Sequence, residues 1–254
     1  MTIKMLLICF ILSTLIILFN NSTKSYADID KKGLEDLLAA YVNWNVNVAA
    51  DELPEEGNNC VINTSKVNLL LDPFYKGTVS QTCDIKAGSS LFLPFYEGWC
   101  DSGTHDLYGE KTYKVMLDCT LDSDKGIVTM GAWLDGKQIV DIKVNNINYY
   151  NPSVIYDKFP NNKYYKVILT PSFFDLTVTN KTRFGAEVYE KPSDFEKSPA
   201  VYKAVAHCFC GLITNMTAGT HEIRYSTIIE GSAIGGKKGW DQQTDITYKL
   251  NVLP

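Results

Sequence analysis

The sequence predicts an all-β fold, a β-sandwich or jelly-roll-like domain, with one N-terminal amphipathic helix. Three observations lead there. After Cys60 the chain is a succession of short β-branched and aromatic runs divided by turn residues. Ahead of it, one stretch from Asp30 to about Asn45 carries apolar residues at helical spacing. The composition, 45% hydrophobic and 21% charged over 254 residues, is that of a globular chain and excludes collagen-like, coiled-coil and wholly disordered classes.

The first element is not part of that domain. Leu6 to Phe19 is a nearly unbroken apolar run, preceded by Lys4 and followed by a polar stretch ending Ser25-Tyr26-Ala27, the pattern of a secretory signal. As a helix it would reach roughly 21 Å, short of the roughly 30 Å hydrocarbon core. Cleavage after Ala27 is the expectation, and an uncleaved anchor is its alternative. Cleavage leaves 227 of the 254 residues and no membrane span. It removes two of the 24 basic residues and none of the 29 acidic ones, so the charge moves from −5 to −7. An acidic chain whose arginines are Arg183 and Arg224, with no basic cluster, has no footprint for nucleic acid.

Residues 28–59 form the next unit. Leu34, Leu37, Leu38, Tyr41 and Val42 line one helical face, with Asp28 and Asp30 near its start, where acids suit the helix dipole. Residues 45–59, rich in Asp, Glu, Pro, Gly and Asn, read as a solvated acidic loop.

Residues 60–254 read as a single disulfide-bonded β-domain. Strands are expected at Lys66–Leu71, Gly77–Ile85, Ser89–Tyr96, Thr112–Thr120, Ile127–Leu134, Lys137–Val144, Tyr164–Leu169, Asp175–Val178, Arg183–Val188, Tyr202–Leu212, His221–Ile229 and Thr244–Val252. Asp135-Gly136 is the strongest hairpin signal, because both residues tolerate positive φ. Ala218-Gly219 reads as a second such turn. The tracts Tyr149–Asn162 and Gly231–Gln243 read as the main breaks.

Cys9 leaves with the signal, so six cysteines remain: Cys60, Cys83, Cys100, Cys119, Cys208 and Cys210. An even count in an exported chain reads as disulfides. In a regular strand Cys208 and Cys210 would share a face with roughly 6.5–7 Å between Cα atoms, at the limit for bridging. They are therefore expected to take different partners; the sequence does not choose among the fifteen pairings of six cysteines, and the preferred set is Cys60 with Cys83, and Cys100 and Cys119 with Cys208 and Cys210 in either order. Three sequons, at Asn63, Asn180 and Asn215, are glycosylation candidates.

The order of several segments resembles a family of exported bacterial and archaeal all-β proteins of unknown function. The segments are Tyr41-Val42-Asn43-Trp44, Cys60, Lys66–Leu71, Thr82–Gly88 leading into Ser90–Pro94, Leu134–Lys137, Thr217–Ile223 and Ile246–Leu250. The resemblance implies an exported β-domain and carries no catalytic residue.

No catalytic constellation of matched spacing stands out. His105 and Asp106 follow Ser102 in a polar loop, but no G-x-S-x-G elbow is present. Glu97 and Asp101 are paired acids of the kind glycoside hydrolysis uses, so a glycan-active hydrolase working near residues 97–106 is one alternative. His207-Cys208-Phe209-Cys210 concentrates soft ligands, and a metal-binding extracytoplasmic protein is another; disulfides are the preferred reading there. Asp118, Asp122 and Asp124 resemble a fragment of a calcium loop without its closing glutamate. His221 reads as structural. No cofactor is called for. The leading expectation is a non-catalytic envelope or extracellular binding module for a glycan or a surface protein. Its candidate contacts are Trp99, Trp240 and Tyr150, and Trp133 is assigned to the core.

Overall fold

The computed structural model describes residues 29–48, 61–64, 67–70, 78–103, 111–124, 126–143, 164–179, 182, 199–232 and 240–254. The signal at 1–27, the acidic loop from 49, Cys60, His105 and Asp106, Tyr150 with its tract, Asn180, and the expected strand Arg183–Val188 lie outside the described residues.

The fold is mostly β, in two mixed sheets. Its strands are β1 (Val61–Thr64), β2 (Val67–Leu70), β3 (Thr78–Lys86), β4 (Ser90–Asp101), β5 (Ile127–Leu134), β6 (Lys137–Lys143), β7 (Tyr165–Leu169), β8 (Phe174–Val178), β9 (Ala200–Ile213), β10 (Gly219–Ser232) and β11 (Trp240–Leu253). The first sheet runs β1-β2-β4-β9-β7, with β8 also paired to β9; the second runs β3-β11-β10-β5-β6. Each contains one parallel pair, β2 with β4 and β3 with β11.

Between the sheets lies a core that includes Leu91, Leu93, Phe95, Phe209, Ile223, Tyr225 and Tyr248. A second apolar layer covers the other face of the first sheet. There α1 (Lys31–Asn47) sets Leu38, Tyr41, Val42 and Val46 against Phe92, Ile168, Leu176, Ala204 and Ala206. The central strands β4 and β9 are therefore buried on both faces, which is why they read as near-continuous apolar runs. A bulge between Pro94 and Tyr96 shifts the parity of β4. Phe95 and Tyr96 consequently both join the inter-sheet core.

Helix α1 begins where the spacing places it. Asp30 is its N-cap, accepting from the Gly33 N–H at 2.8 Å. Farther along, Asn43 and Asn47 do the work of a neighbouring strand. Asn43 donates to the Asp175 carbonyl (3.0 Å) and accepts from the Thr177 N–H (2.8 Å). Asn47 donates to the Thr177 carbonyl (2.6 Å) and accepts from the Thr179 N–H (2.9 Å). Two side-chain amides thus cover the open edge of β8, which would otherwise offer unpaired backbone to another chain.

Five sequence-based expectations are corrected. The segment expected as the strand Thr112–Thr120 is a second helix, α2 (Tyr113–Asp124), which buries Met116, Cys119 and Leu121. The calcium-loop reading falls with it, since Asp118 lies on that helix paired with Lys114 at 2.7 Å. Ala218-Gly219 is not a hairpin turn. Both edges of β9 are already occupied by β4, β7 and β8, so the chain crosses to the other sheet. Cys100 bonds Cys119 and Cys208 bonds Cys210, rather than pairs forming between these two sets. The Cα atoms of Cys208 and Cys210 lie 5.4 Å apart, closer than in a regular strand, at the point where the β4 bulge interrupts the ladder. Cys83 is also disulfide-bonded, to a partner outside the described residues. Finally, the expected break at Gly231–Gln243 is narrower, because β10 runs to Ser232 and β11 starts at Trp240. By contrast, Asp135-Gly136 forms the β5–β6 turn with both φ angles positive.

Candidate functional site

The two sheets differ in what covers their outer faces. The outer face of the first lies under α1, whereas that of the second is polar and partly exposed. Strand alternation sets Thr129, Gly131 and Trp133 of β5 on that face beside Glu222, Arg224 and Ser226 of β10, then Asp245, Thr247 and Lys249 of β11. Its inward counterparts Met130, Ala132, Ile223, Tyr225, Ile246 and Tyr248 are buried.

One cluster on this face is built rather than merely exposed. Trp133 stands directly opposite Arg224 in the ladder, and the guanidinium sits 5.0 Å from the indole centroid. Asp245 fixes the guanidinium from the other side, accepting from Nε at 2.8 Å and from Nη2 at 2.5 Å. These hydrogen bonds hold the Asp245 carboxyl below the usual carboxylate range and push Arg224 further up. Gly131 makes room for the indole: a Cβ there would lie 2.7 Å from its Cη2. The assignment of Trp133 to the core is therefore corrected. The parity that buries Met130 and Ala132 turns it outward. The signal was available in the sequence, since Thr129 and Gly131 share its parity and suit an outer face.

The three sequence-based contact residues do not come together. Trp99 lies half-buried on the outer face of the first sheet, packed against the α1 layer. Trp240 opens β11 opposite Ser232 on the second sheet, and Tyr150 lies outside the described residues. Of the sequons, Asn63 lies within β1, paired with Asn68. Asn215 is exposed at a turn, with φ of 56°.

Other polar residues singled out in the sequence are buried in the first sheet. Glu97 is 3% exposed and accepts from Asn45 of α1 at 2.9 Å. Asp101 is buried and accepts from the Gly103 N–H at 2.8 Å. The two residues are four apart on β4, a backbone spacing of about 13 Å. His207 is 1% exposed and meets Phe209 edge-on at 4.9 Å on the inter-sheet side. Cys208 and Cys210 face the α1 layer instead and are joined to each other. The imidazole and the two sulfurs therefore cannot converge on one ion.

A last cluster lies at one end of the sandwich. His221 Nδ1 is 2.8 Å from Asp135 Oδ2, and its Nε2 is 3.0 Å from the Thr217 carbonyl and 3.2 Å from the Thr217 hydroxyl. Asp135 in turn accepts from the Glu222 N–H at 2.9 Å.

No family model and no curated protein matches the chain. Among solved structures, PbICP-C in complex with falcipain-2 is 11% identical, with a TM-score of 0.23, covering 74% of this chain and 99% of that one. CfaE, the adhesive subunit of the CFA/I fimbria of enterotoxigenic Escherichia coli, is 10% identical, with a TM-score of 0.17, covering 72% of this chain and 48% of that one. Superpositions this loose carry no argument about function.

Proposed function

We propose that the protein is exported and acts outside the cytoplasm as a non-catalytic glycan-binding module. The reading rests chiefly on the Trp133–Arg224–Asp245 cluster on the open face of the second sheet. A sugar ring offers hydroxyls at its rim and C–H groups on its faces. Planar side chains held rigid by each other suit the hydroxyls, and an aromatic surface suits the C–H groups. Lys249 stands across from Glu222, and Arg224 is neutralised by Asp245, so the face carries both signs together. That balance favours a neutral glycan over a polyanion.

Export is supported by the apolar run Leu6–Phe19 ahead of Ser25-Tyr26-Ala27. The disulfides point the same way, to an oxidising environment. Among the described residues no helix is long and apolar enough to cross a membrane.

A broad glycan array probed with the secreted protein tests the reading, followed by calorimetry on any ligand found. Trp133→Ala is expected to weaken binding at least about tenfold, or about 1.4 kcal/mol, with Trp240→Ala near wild type. No glycan bound by the wild type, or full binding by Trp133→Ala, overturns it.

A further inference from the structure

The end of the sandwich where the chain crosses between sheets is closed by an arch, residues 214–218, linking β9 to β10. Met216 of the arch is 4% exposed and plugs the inter-sheet core. Its N–H donates to the Ser89 carbonyl at 3.1 Å, and its carbonyl accepts from the Gly88 N–H at 2.7 Å. The arch also leans on one side chain from outside, His221.

The imidazole of His221 stands between two groups that can only accept. Asp135 Oδ2 is a carboxylate oxygen, and the Thr217 oxygen at 3.0 Å is a backbone carbonyl. Satisfying both requires a proton on each ring nitrogen, which is the imidazolium. A neutral ring that keeps Nδ1–H on Asp135 turns the lone pair of Nε2 toward the Thr217 carbonyl. Rotation of the Thr217 hydroxyl at 3.2 Å can then offer a proton to Nε2, but the bond to the arch backbone is gone.

We propose that His221 is a proton-operated latch: its imidazolium ties the backbone of the crossover arch to the β5–β6 turn, and loss of its second proton loosens the arch by exchanging that backbone bond for the longer one from the Thr217 hydroxyl. Asp135 is the charge that faces the ring from the turn, with Lys137 following it on β6. Glu222 follows His221 on β10 with its side chain on the outer face, and Lys249 stands across from Glu222 on β11. The direction of titration agrees with the geometry. The hydrogen bond to Asp135 is the largest influence on His221; together with the Thr217 carbonyl and the Asp135 charge it outweighs partial burial and raises the imidazole above its usual value. For Asp135, burial pulls upward, but the bonds from His221 and the Glu222 N–H prevail and lower it.

The signs define a window. The raised imidazole contributes fully below its unfolded value, and that contribution is lost as pH rises through the folded one. The lowered carboxyl contributes above its unfolded value, and that contribution is lost as pH falls through the folded one. The latch is closed between the two folded values and loosens on the alkaline side as the bond to the Thr217 carbonyl is lost. It stands independently of any glycan on the second sheet.

Proton–nitrogen NMR of the folded protein from pH 5 to pH 9 tests this, with His221→Gln identifying the ring signal. The expected result is an imidazole midpoint above the ordinary histidine value. The Gly88 and Met216 amides are expected to lose about tenfold in exchange protection across that midpoint, beyond the intrinsic pH trend shown by the Tyr225 amide. In His221→Gln that extra loss disappears. A midpoint at or below the ordinary value, or Gly88 and Met216 amides that follow only the intrinsic trend, overturns the latch. Both criteria are read in the wild type, so they decide even if the variant fails to fold.

Discussion

Gly211 and Gly131 pose the same local problem with opposite consequences. A methyl added at Gly211 would lie 2.6 Å from the Phe95 ring and 3.3 Å from the Leu93 carbonyl, and Phe95 is 3% exposed between the sheets. That ring has nowhere to go. Gly211→Ala is expected to destabilise by about 1–3 kcal/mol through overpacking, measured by urea denaturation. At Gly131 the neighbour is the Trp133 indole, which lies on an open face and can swing outward. The same alanine there is expected to cost less stability than Gly211→Ala while displacing the indole from Arg224. Equal losses at the two positions would mean that Trp133 is as confined as Phe95. At this scale the sequence was legible where one residue decides the geometry, as with the positive φ angles of Asp135 and Gly136. It was misleading for Trp133, because aromatic identity suggests a core position, whereas inside or outside is set by parity against Met130 and Ala132.

Elements were legible when their periodicity had one interpretation. In α1 the apolar spacing was unambiguous and Asp30 marked its start. In Thr112–Thr120, Val115, Leu117 and Cys119 share the parity of one strand face, yet Met116, Cys119 and Thr120 are what the fold buries, at helical spacing. The helix left two local signals: Thr112, whose hydroxyl accepts from the Val115 N–H at 3.4 Å, and the Lys114–Asp118 pair four residues apart. The asparagines of α1 carried a message that periodicity cannot express, since their partners on β8 lie about 130 residues away. Asn47→Ala removes the acceptor of the Thr179 N–H and the donor to the Thr177 carbonyl. It is expected to lower stability by about 1–2 kcal/mol and to raise light scattering with protein concentration as the β8 edge opens. Scattering equal to wild type would show that the asparagines leave no edge to protect.

Across the whole molecule, three layers share two strands. Phe92 of β4 faces α1 while its neighbours Leu91 and Leu93 face the second sheet; Cys208 and Cys210 of β9 face α1 while Phe209 faces the second sheet. Neither apolar layer can be dismantled without exposing strands on which the other depends. Unfolding should therefore be one cooperative event, although α1 lies outside the sandwich proper. Leu38 is 0% exposed within the α1 layer, and Leu38→Ala is expected to cost about 2–5 kcal/mol. Variants retaining only Trp44 on α1 or only Trp133 on β5 separate the layers optically. Both reporters should melt at one denaturant midpoint, and Leu38→Ala should lower the two midpoints together. An earlier transition at Trp44, with the Trp133 midpoint unmoved by Leu38→Ala, would instead make α1 a detachable cover and the sandwich the cooperative unit.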